Sequence, residues 1–593
     1  MRRLFGLAAF GFAICLAFMN VERQSIASGA SAQEAIDAAP ELPILPEVRS
    51  VGGVAHLALA AAIDPSTKLP SFYYAGGTVA PTIRVRPGDT IVIDYTNNLP
   101  VEMSPPLDIT NLHTHGLMDS PKAPGDQVIM TMIMPGQSYR YVFNVPKYQP
   151  PGLYWYHPHP HGESNRQVAS GMSGLIIIEG IETYAPIVRG LAERDIILRD
   201  YYFDPGSAPL SRYSRHAISH QVAREVAAQP TLDAAARKRS LEEHPESVTV
   251  SPDEFAPDCK AADASDGLTI NGLKSATITM EPRSRQFFRI ANSSANSFFD
   301  VKIPGTRFYV VAYDGVPLSF HQRSLQGQWV DHILIPPAGR AEAVVQAPDA
   351  TGTPLLTGCV DTGPAGDIDP NRRMGTIALG SAPALHHADM NPLPPTAEPF
   401  GDINKWRVSA RRLVTFTEDN PKSLFFINGR LWNPNSAPMY TVPEGTVEEW
   451  TVYNYARENH VFHIHQIHFA VAEINGLRQP TDTWRDTVTL PYAKRVNGNL
   501  QPGEVRLLMD FRDPSIVGTF VFHCHILEHE DYGMMAKIQV TGPQGAAVNS
   551  RGFHEGFLSS KLPAACKFQT KTSKLCGCDK AVQTVSFAPA QHR

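Results

Sequence analysis

The sequence predicts an all-β protein built from three tandem Greek-key sandwiches or barrels, and three observations carry that prediction. Among 593 residues there are 50 prolines and 43 glycines but only 19% charged residues, the balance of a loop-rich β chain and not of a helical bundle. Runs of alternating apolar residues bounded by Pro/Gly turns recur along the chain, as antiparallel strands with one buried face require. Finally, the same short phrases occur three times in the same order, the mark of a repeated unit.

The elements follow in chain order. MRRLFGLAAFGFAICLAFMN sets a basic start before a short apolar run, and Ala30-Ser31-Ala32 fits a small-residue cleavage site. Residues 1–32 therefore read as a signal peptide, and the mature chain is expected in the periplasm or secreted. Arg2-Arg3-Leu4-Phe5 resembles a twin-arginine signal, the route that exports folded cargo. The apolar run is short for a bilayer and no later segment would span one, so the mature protein is expected to have no stable membrane span. Net charge is -6 with no long Lys/Arg block, which leaves nucleic-acid binding without its electrostatic source.

A first phrase appears as PTIRVRPGDTIVIDYTNN (81–98), ATITMEPRSRQFFRIANSS (276–294) and MYTVPEGTVEEWTVYNYA (439–456). Each has a proline turn, a β-rich run and an asparagine, and each reads as a hairpin. Downstream, PGQSYRYVFNVP precedes PGLYWYHPH, PAGRAEAVVQAP precedes TGTPLLTGC, and PGEVRLLMDFRDP precedes VGTFVFHCH. The predicted domains are 33–182, 183–392 and 393–545, followed by a tail over 546–593. The middle domain carries an insertion at about 205–266, in which PTLDAAARKRSLEEH is helical by composition. Five cysteines, Cys259, Cys359, Cys566, Cys576 and Cys578, remain for disulfides in an oxidising compartment, with their pairing open.

Histidines concentrate in four clusters: HTHG (His113, His115), WYHPHPHG (His157, His159, His161), HVFHIHQIHF (His460, His463, His465, His468) and HCHILEHEDYGMM (His523 to Met535). On an extended strand residues i and i+2 face the same way, so each His-x-His pair presents two imidazoles to one place while the residue between faces away. In the last cluster His523 and His525 then serve one site and Cys524 another. His529 and Met534 return to the cysteine and His460 supplies a second nitrogen, a His2Cys set with a weak axial thioether, the ligand type of a blue-copper centre. Met535 is the less favoured axial candidate. The remaining four pairs come equally from the first and third domains and imply a copper cluster between them. Zinc explains the histidines but not the Cys-Met centre. In the middle domain the matching positions hold Thr357, Gly358 and Cys359, so that domain reads as a metal-free spacer.

In order and internal spacing these clusters resemble those of the three-domain multicopper oxidases, the laccase and cuprous-oxidase group, over about residues 50 to 545. The resemblance implies cupredoxin-like domains and four copper ions. Type 1 copper would be held by His460, Cys524, His529 and Met534, type 2 by His113 and His463, and the type 3 pair by His115, His157, His159, His465, His523 and His525. His161 and His468 stay outside the set. Four one-electron oxidations of a small reducing substrate would be coupled through Cys524 to reduction of dioxygen to water, with Asp126 and Glu530 resembling the family's acidic proton relays. A phenol or aromatic amine is the first expectation for the donor and Cu(I) the alternative. A copper-free scaffold is the reading from a different class. Met130, Met132 and Met134 alternate and are expected on a core-facing strand rather than in a Cu(I) relay.

Overall fold

A computed structural model describes residues 39–101, 108–200, 267–321, 325–367, 369–396, 400–419, 423–479, 483–496 and 499–542. The signal peptide, the insertion and the tail with its three cysteines lie outside the described residues. The strands form three two-sheet sandwiches of one design. In the first, a five-stranded sheet runs in the order Glu47–Arg49, Thr82–Val85, Gly174–Ile178, Gly152–His157, His113–His115 and faces a four-stranded sheet centred on Val54–Ile63 and Thr90–Asn97. The third repeats the five-stranded order as Tyr440–Pro443, Met535–Thr541, Gly518–Cys524, His460–Ile464, Thr487–Leu490. The middle sandwich repeats it as Ala276–Met280, Arg372–Leu379, Thr353–Thr357, Phe299–Lys302, Ile333–Ile335. Each sandwich has its own apolar core, filled from both of its sheets. No helix among the described residues is long and apolar enough to cross a membrane.

The first repeated phrase is not a hairpin. Thr82–Val85 and Thr90–Asn97 lie in different sheets, as do Ala276–Met280 and Arg285–Asn292, and Tyr440–Pro443 and Thr446–Asn454. Each proline turn carries the chain across the sandwich, where both strands meet parallel partners. Alternation reveals the buried face of a strand but not the sheet it joins, which is why the sequence pattern misleads here.

The asparagine that ends each phrase has the same task three times. Asn97 donates its amide to the carbonyls of Asp108 (2.6 Å) and Ile133 (2.8 Å) and accepts from Leu99 N–H. Asn292 does so with Ser297 and Ile335 and with Ser294 N–H, and Asn454 with Glu458 and Leu490 and with Ala456 N–H. All three are fully buried, and each ties the root of the following loop to main-chain groups farther along the chain. In the third sandwich that loop leads into His460.

The methionine run departs from expectation. Met130, Met132 and Met134 are 60%, 49% and 42% exposed, while Thr131 and Ile133 between them are buried. Ile133 bridges to Thr110, and the Thr131 carbonyl accepts from Asn111. The three thioethers do share a face, but it is the solvent face.

Gly152–His157 and Gly174–Ile178 are buried throughout because a second surface covers them. Leu153, Trp155, Leu175 and Ile177 pack on Ile197, Ala291 and Ala338 of the middle sandwich. The approach is close at Gly152, where a Cβ would stand 2.4 Å from the Gly315 carbonyl oxygen. Gly152→Ala is therefore expected to cost about 1–3 kcal/mol through overpacking. Calorimetry reads this as a lowered unfolding temperature, and an unchanged one would mean the seam is not close-packed.

Candidate metal centres

Four strands and the residues just past their ends carry the histidines: β1 (His113–His115), β2 (Gly152–His157, followed by His159), β3 (His460–Ile464, followed by His465) and β4 (Gly518–Cys524, followed by His525). A short helix, α1 (Leu527–Asp531), follows β4. β1 and β2 pair antiparallel with His113 opposite His157, and β3 and β4 pair antiparallel with His463 opposite His523. Strand pairing thus sets two imidazoles side by side in each outer sandwich, and the two sandwiches bring their sets together. His113 stacks on His465 at 3.7 Å and His115 on His463 at 3.9 Å, each pair joining one outer sandwich to the other. Nε2 of His523 lies 3.2 Å from Nε2 of both His159 and His465. All eight rings are buried.

Hydrogen bonds on the far side of these rings decide which nitrogen faces inward. His113 donates Nδ1–H to the Asp126 carboxylate (2.8 Å), His157 to the Pro158 carbonyl (2.8 Å), His463 to the Asp486 carbonyl (2.8 Å) and His523 to the Cys524 carbonyl (2.8 Å). Their Nε2 lone pairs are left pointing at one another. His115 is reversed, since its Nε2 meets Asp486 Oδ1 at 3.0 Å and Nδ1 is the inward atom. Nε2 of His113, His157 and His463, Nδ1 of His115 and both nitrogens of His525 are buried without a hydrogen-bond partner. So many orphaned lone pairs at one point are costly in a closed protein interior and fit metal ligation. Threefold donor sets form at His113, His115 and His157, at His113, His463 and His465, and at His159, His465 and His523. Burial, together with neighbouring imidazoles, holds His113, His115, His157, His463, His465 and His525 well below the usual histidine range, so the rings are neutral donors.

A second centre lies on the other side of β4. His460 and His529 bring their Nδ1 atoms to 3.0 Å of each other, and Cys524 Sγ is 3.6 and 3.7 Å from them. Val461 N–H points at the sulfur from 3.4 Å. Met534 is buried in the same core as Cys524, whereas Met535 packs with Val128 and Val521. Phe425 stacks on the His529 ring at 4.1 Å. Burial pushes the Cys524 thiol well above its ordinary value, so a metal entering here must displace its proton.

Two acids expected from the sequence are in place and buried. Asp126 accepts from His113, from Thr114 N–H and from Gln466, and burial raises it to about 7. Glu530 Oε2 lies 3.0 Å from His523 Nδ1 and Glu530 Oε1 3.5 Å from His159 Nδ1. Burial would raise Glu530, but these histidines outweigh it and hold the carboxyl well below its usual range. His161 is exposed beside Trp432, and His468 is buried 3.8 Å from Asp486. Asp486 and Arg340 were not found from sequence: TWRDTV has no motif character, and the contact to His115 spans 371 positions.

Three family profiles described as multicopper oxidase match residues 60–183, 242–354 and 406–544. The chain belongs to the multicopper oxidase family. Multicopper oxidase mco of Staphylococcus haemolyticus is 24% identical over 475 residues, covering 79% of this chain and 83% of that protein. The laccase of Bacillus subtilis is 24% identical over 518 residues, covering 81% and 91%. Among solved structures, a multicopper oxidase from Campylobacter jejuni, described as a metallo-oxidase, matches with a TM-score of 0.60 at 22% identity, covering 85% of this chain and 95% of that one. As a multicopper oxidase the protein is a copper-dependent oxidoreductase that uses dioxygen.

The protonation pattern can be tested in the metal-free protein. Anaerobic addition of Cu(I) at pH 6 is expected to release a proton from Cys524, whereas His113, His115, His157, His463, His465 and His525, held well below the usual histidine range, release none. A pH indicator in weak buffer measures it against Cys524→Ser; equal release from the two chains would contradict the cysteine as its source.

Proposed function

We propose that four copper ions are held by the residues named from the sequence: type 1 by His460, Cys524, His529 and Met534, type 2 by His113 and His463, and the type 3 pair by His115, His157, His159, His465, His523 and His525. The observation that carries this reading is the placement of Cys524 between His523 and His525, with its sulfur on one side of β4 and their rings on the other. Copper, when bound, supplies one-electron acceptance at the first centre and the four-electron reduction of dioxygen at the second. The chain's own part is to join them: from Cys524 Sγ the path to either imidazole runs through Cβ, Cα and one peptide unit. Asp126, raised to about 7, accepts from His113 Nδ1–H and can take up or release a proton near neutral pH, and Glu530 places a carboxylate at His523 Nδ1.

For the electron donor we favour a reducing metal cation over a phenol. Glu458 Oε1 lies 3.4 Å from the outer nitrogen of His529, and Glu418 Oε2 lies 3.9 Å from that of His460. Glu458 is held well above the usual range by burial and by Glu418, Asp367 and Glu528, and Glu528 is raised to about 7 by burial and Asp367. Four carboxyls crowded at one edge favour a cation, and oxygen donors suit Mn(II) or Fe(II) better than the softer Cu(I). A phenol or aromatic amine is the second reading, because Glu458, once ionised, is a carboxylate basic enough to accept its proton. Export after cleavage near Ala32 belongs to the same proposal and is checked by the N-terminal sequence of the mature protein.

In copper-replete protein, Cys524→Ser is expected to lose the blue absorbance and all donor oxidation while the interdomain cluster still loads; a blue variant would refute the assignment. His463→Ala should stay blue and fail to reduce oxygen. Oxygen uptake with Mn(II), Fe(II), Cu(I) and a phenol ranks the donors. Glu458→Gln is expected to raise KM for the preferred cation by roughly tenfold, the loss of one charge-assisted contact, and to leave a phenol's KM nearly unchanged. Faster turnover of the phenol would reverse the donor assignment.

A further inference from the structure

The middle sandwich supplies no histidine to the candidate ligand set, yet one of its side chains touches both outer sandwiches beside the cluster. Arg340, on the strand Arg340–Gln346, is fully buried and grips Asp486 with both arms of its guanidinium, Nη1 to Oδ1 and Nη2 to Oδ2, each at 2.6 Å. Its Nε–H donates to the Leu153 carbonyl on β2 (3.2 Å), and Glu342, two residues on, accepts from Leu153 N–H (2.9 Å). Asp486 in turn faces two candidate ligands. Its Oδ1 takes His115 Nε2–H and its main-chain carbonyl takes His463 Nδ1–H. Thr487 Oγ donates to the same Oδ1 at 2.8 Å. Room for the clamp comes from Gly116, with φ +88, where a Cβ would stand 2.5 Å from Asp486 Oδ2 and 2.7 Å from Arg340 Nη2.

We propose that Arg340 is a positioning residue for the oxygen-reducing centre: from the middle sandwich it fixes Asp486, and through it selects the nitrogens that His115 and His463 turn toward copper. A forked, bidentate donor is needed because a carboxylate held at both oxygens cannot rotate, so Oδ1 stays on His115 Nε2 and the ring cannot flip. Loosened, Asp486 would leave His115 free to present either nitrogen, and the stacked His115–His463 pair would lose its fixed register. The inference rests on the copper assignment above, but its readout separates from it.

The test uses the full chain, with Cu(I) affinity of the cluster measured anaerobically against a chelator and the Cys524 centre followed by its blue absorbance after oxidation. Arg340→Met is expected to weaken cluster affinity by roughly 10- to 100-fold, as loss of a partner behind a metal ligand does, with the blue absorbance kept. If that variant does not fold, Arg340→Lys, which keeps the charge but not the fork, is expected to show the same loss in part. The double variant Arg340→Met/Asp486→Leu is expected to remain weak. Wild-type cluster affinity in Arg340→Lys, or recovery in the double variant, would overturn the proposal, the latter because the defect would then be a stranded charge. Failure of the copper assignment itself shows differently, as a wild-type chain that binds no copper at these histidines.

Discussion

Both candidate metal centres depend on the period of an extended strand. At the end of β4 and just beyond it, over residues 523–525, consecutive side chains alternate, so sulfur and imidazoles that are neighbours in sequence fall on opposite sides and face different candidate centres. Shifting the register of β4 by one residue would exchange the two sides and destroy both centres at once. The ladder to β3 and the flanking strand Met535–Thr541 hold that register, and their apolar residues form the third sandwich's core.

Around that strand the protein solves a solvation problem. Eight imidazoles are withdrawn from water, and each hydrogen bond on the outer side of a ring leaves a lone pair inside that nothing else satisfies. Without metal the cluster resists protons, because protonating His113 or His525 meets both burial and the neighbouring imidazoles. The same design that makes the rings good ligands makes them poor bases.

Much of the candidate site was legible in the sequence because its donors come in local pairs at strand spacing, and local spacing survives folding. The paired histidines are brought together as that spacing predicts, and Asp126 and Glu530, expected from the resemblance, lie buried against His113 and His523. What could not be read is what depends on distant partners. The crossing strands passed for hairpins because alternation is silent on sheet membership, and the methionines at 130, 132 and 134 were put on the right shared face but the wrong side of the wall. Arg340 and Asp486 are 146 positions apart, and the repeated phrase that contains Arg340 shows a strand but not its partner, so nothing in the sequence reveals that the metal-free middle domain also grips both of its neighbours.

The stacked pairs His113–His465 and His115–His463 have a temporal consequence. A ribosome finishes the first half of each pair some 350 residues before the second, an interval read directly from the two positions in each pair. During that interval the early imidazoles have no counterpart, and a metal ion meeting the nascent chain would find only partial coordination. The interdomain stacking is therefore completed only once the third sandwich has been synthesised, whereas the set of His113, His115 and His157 is whole as soon as the first sandwich has folded.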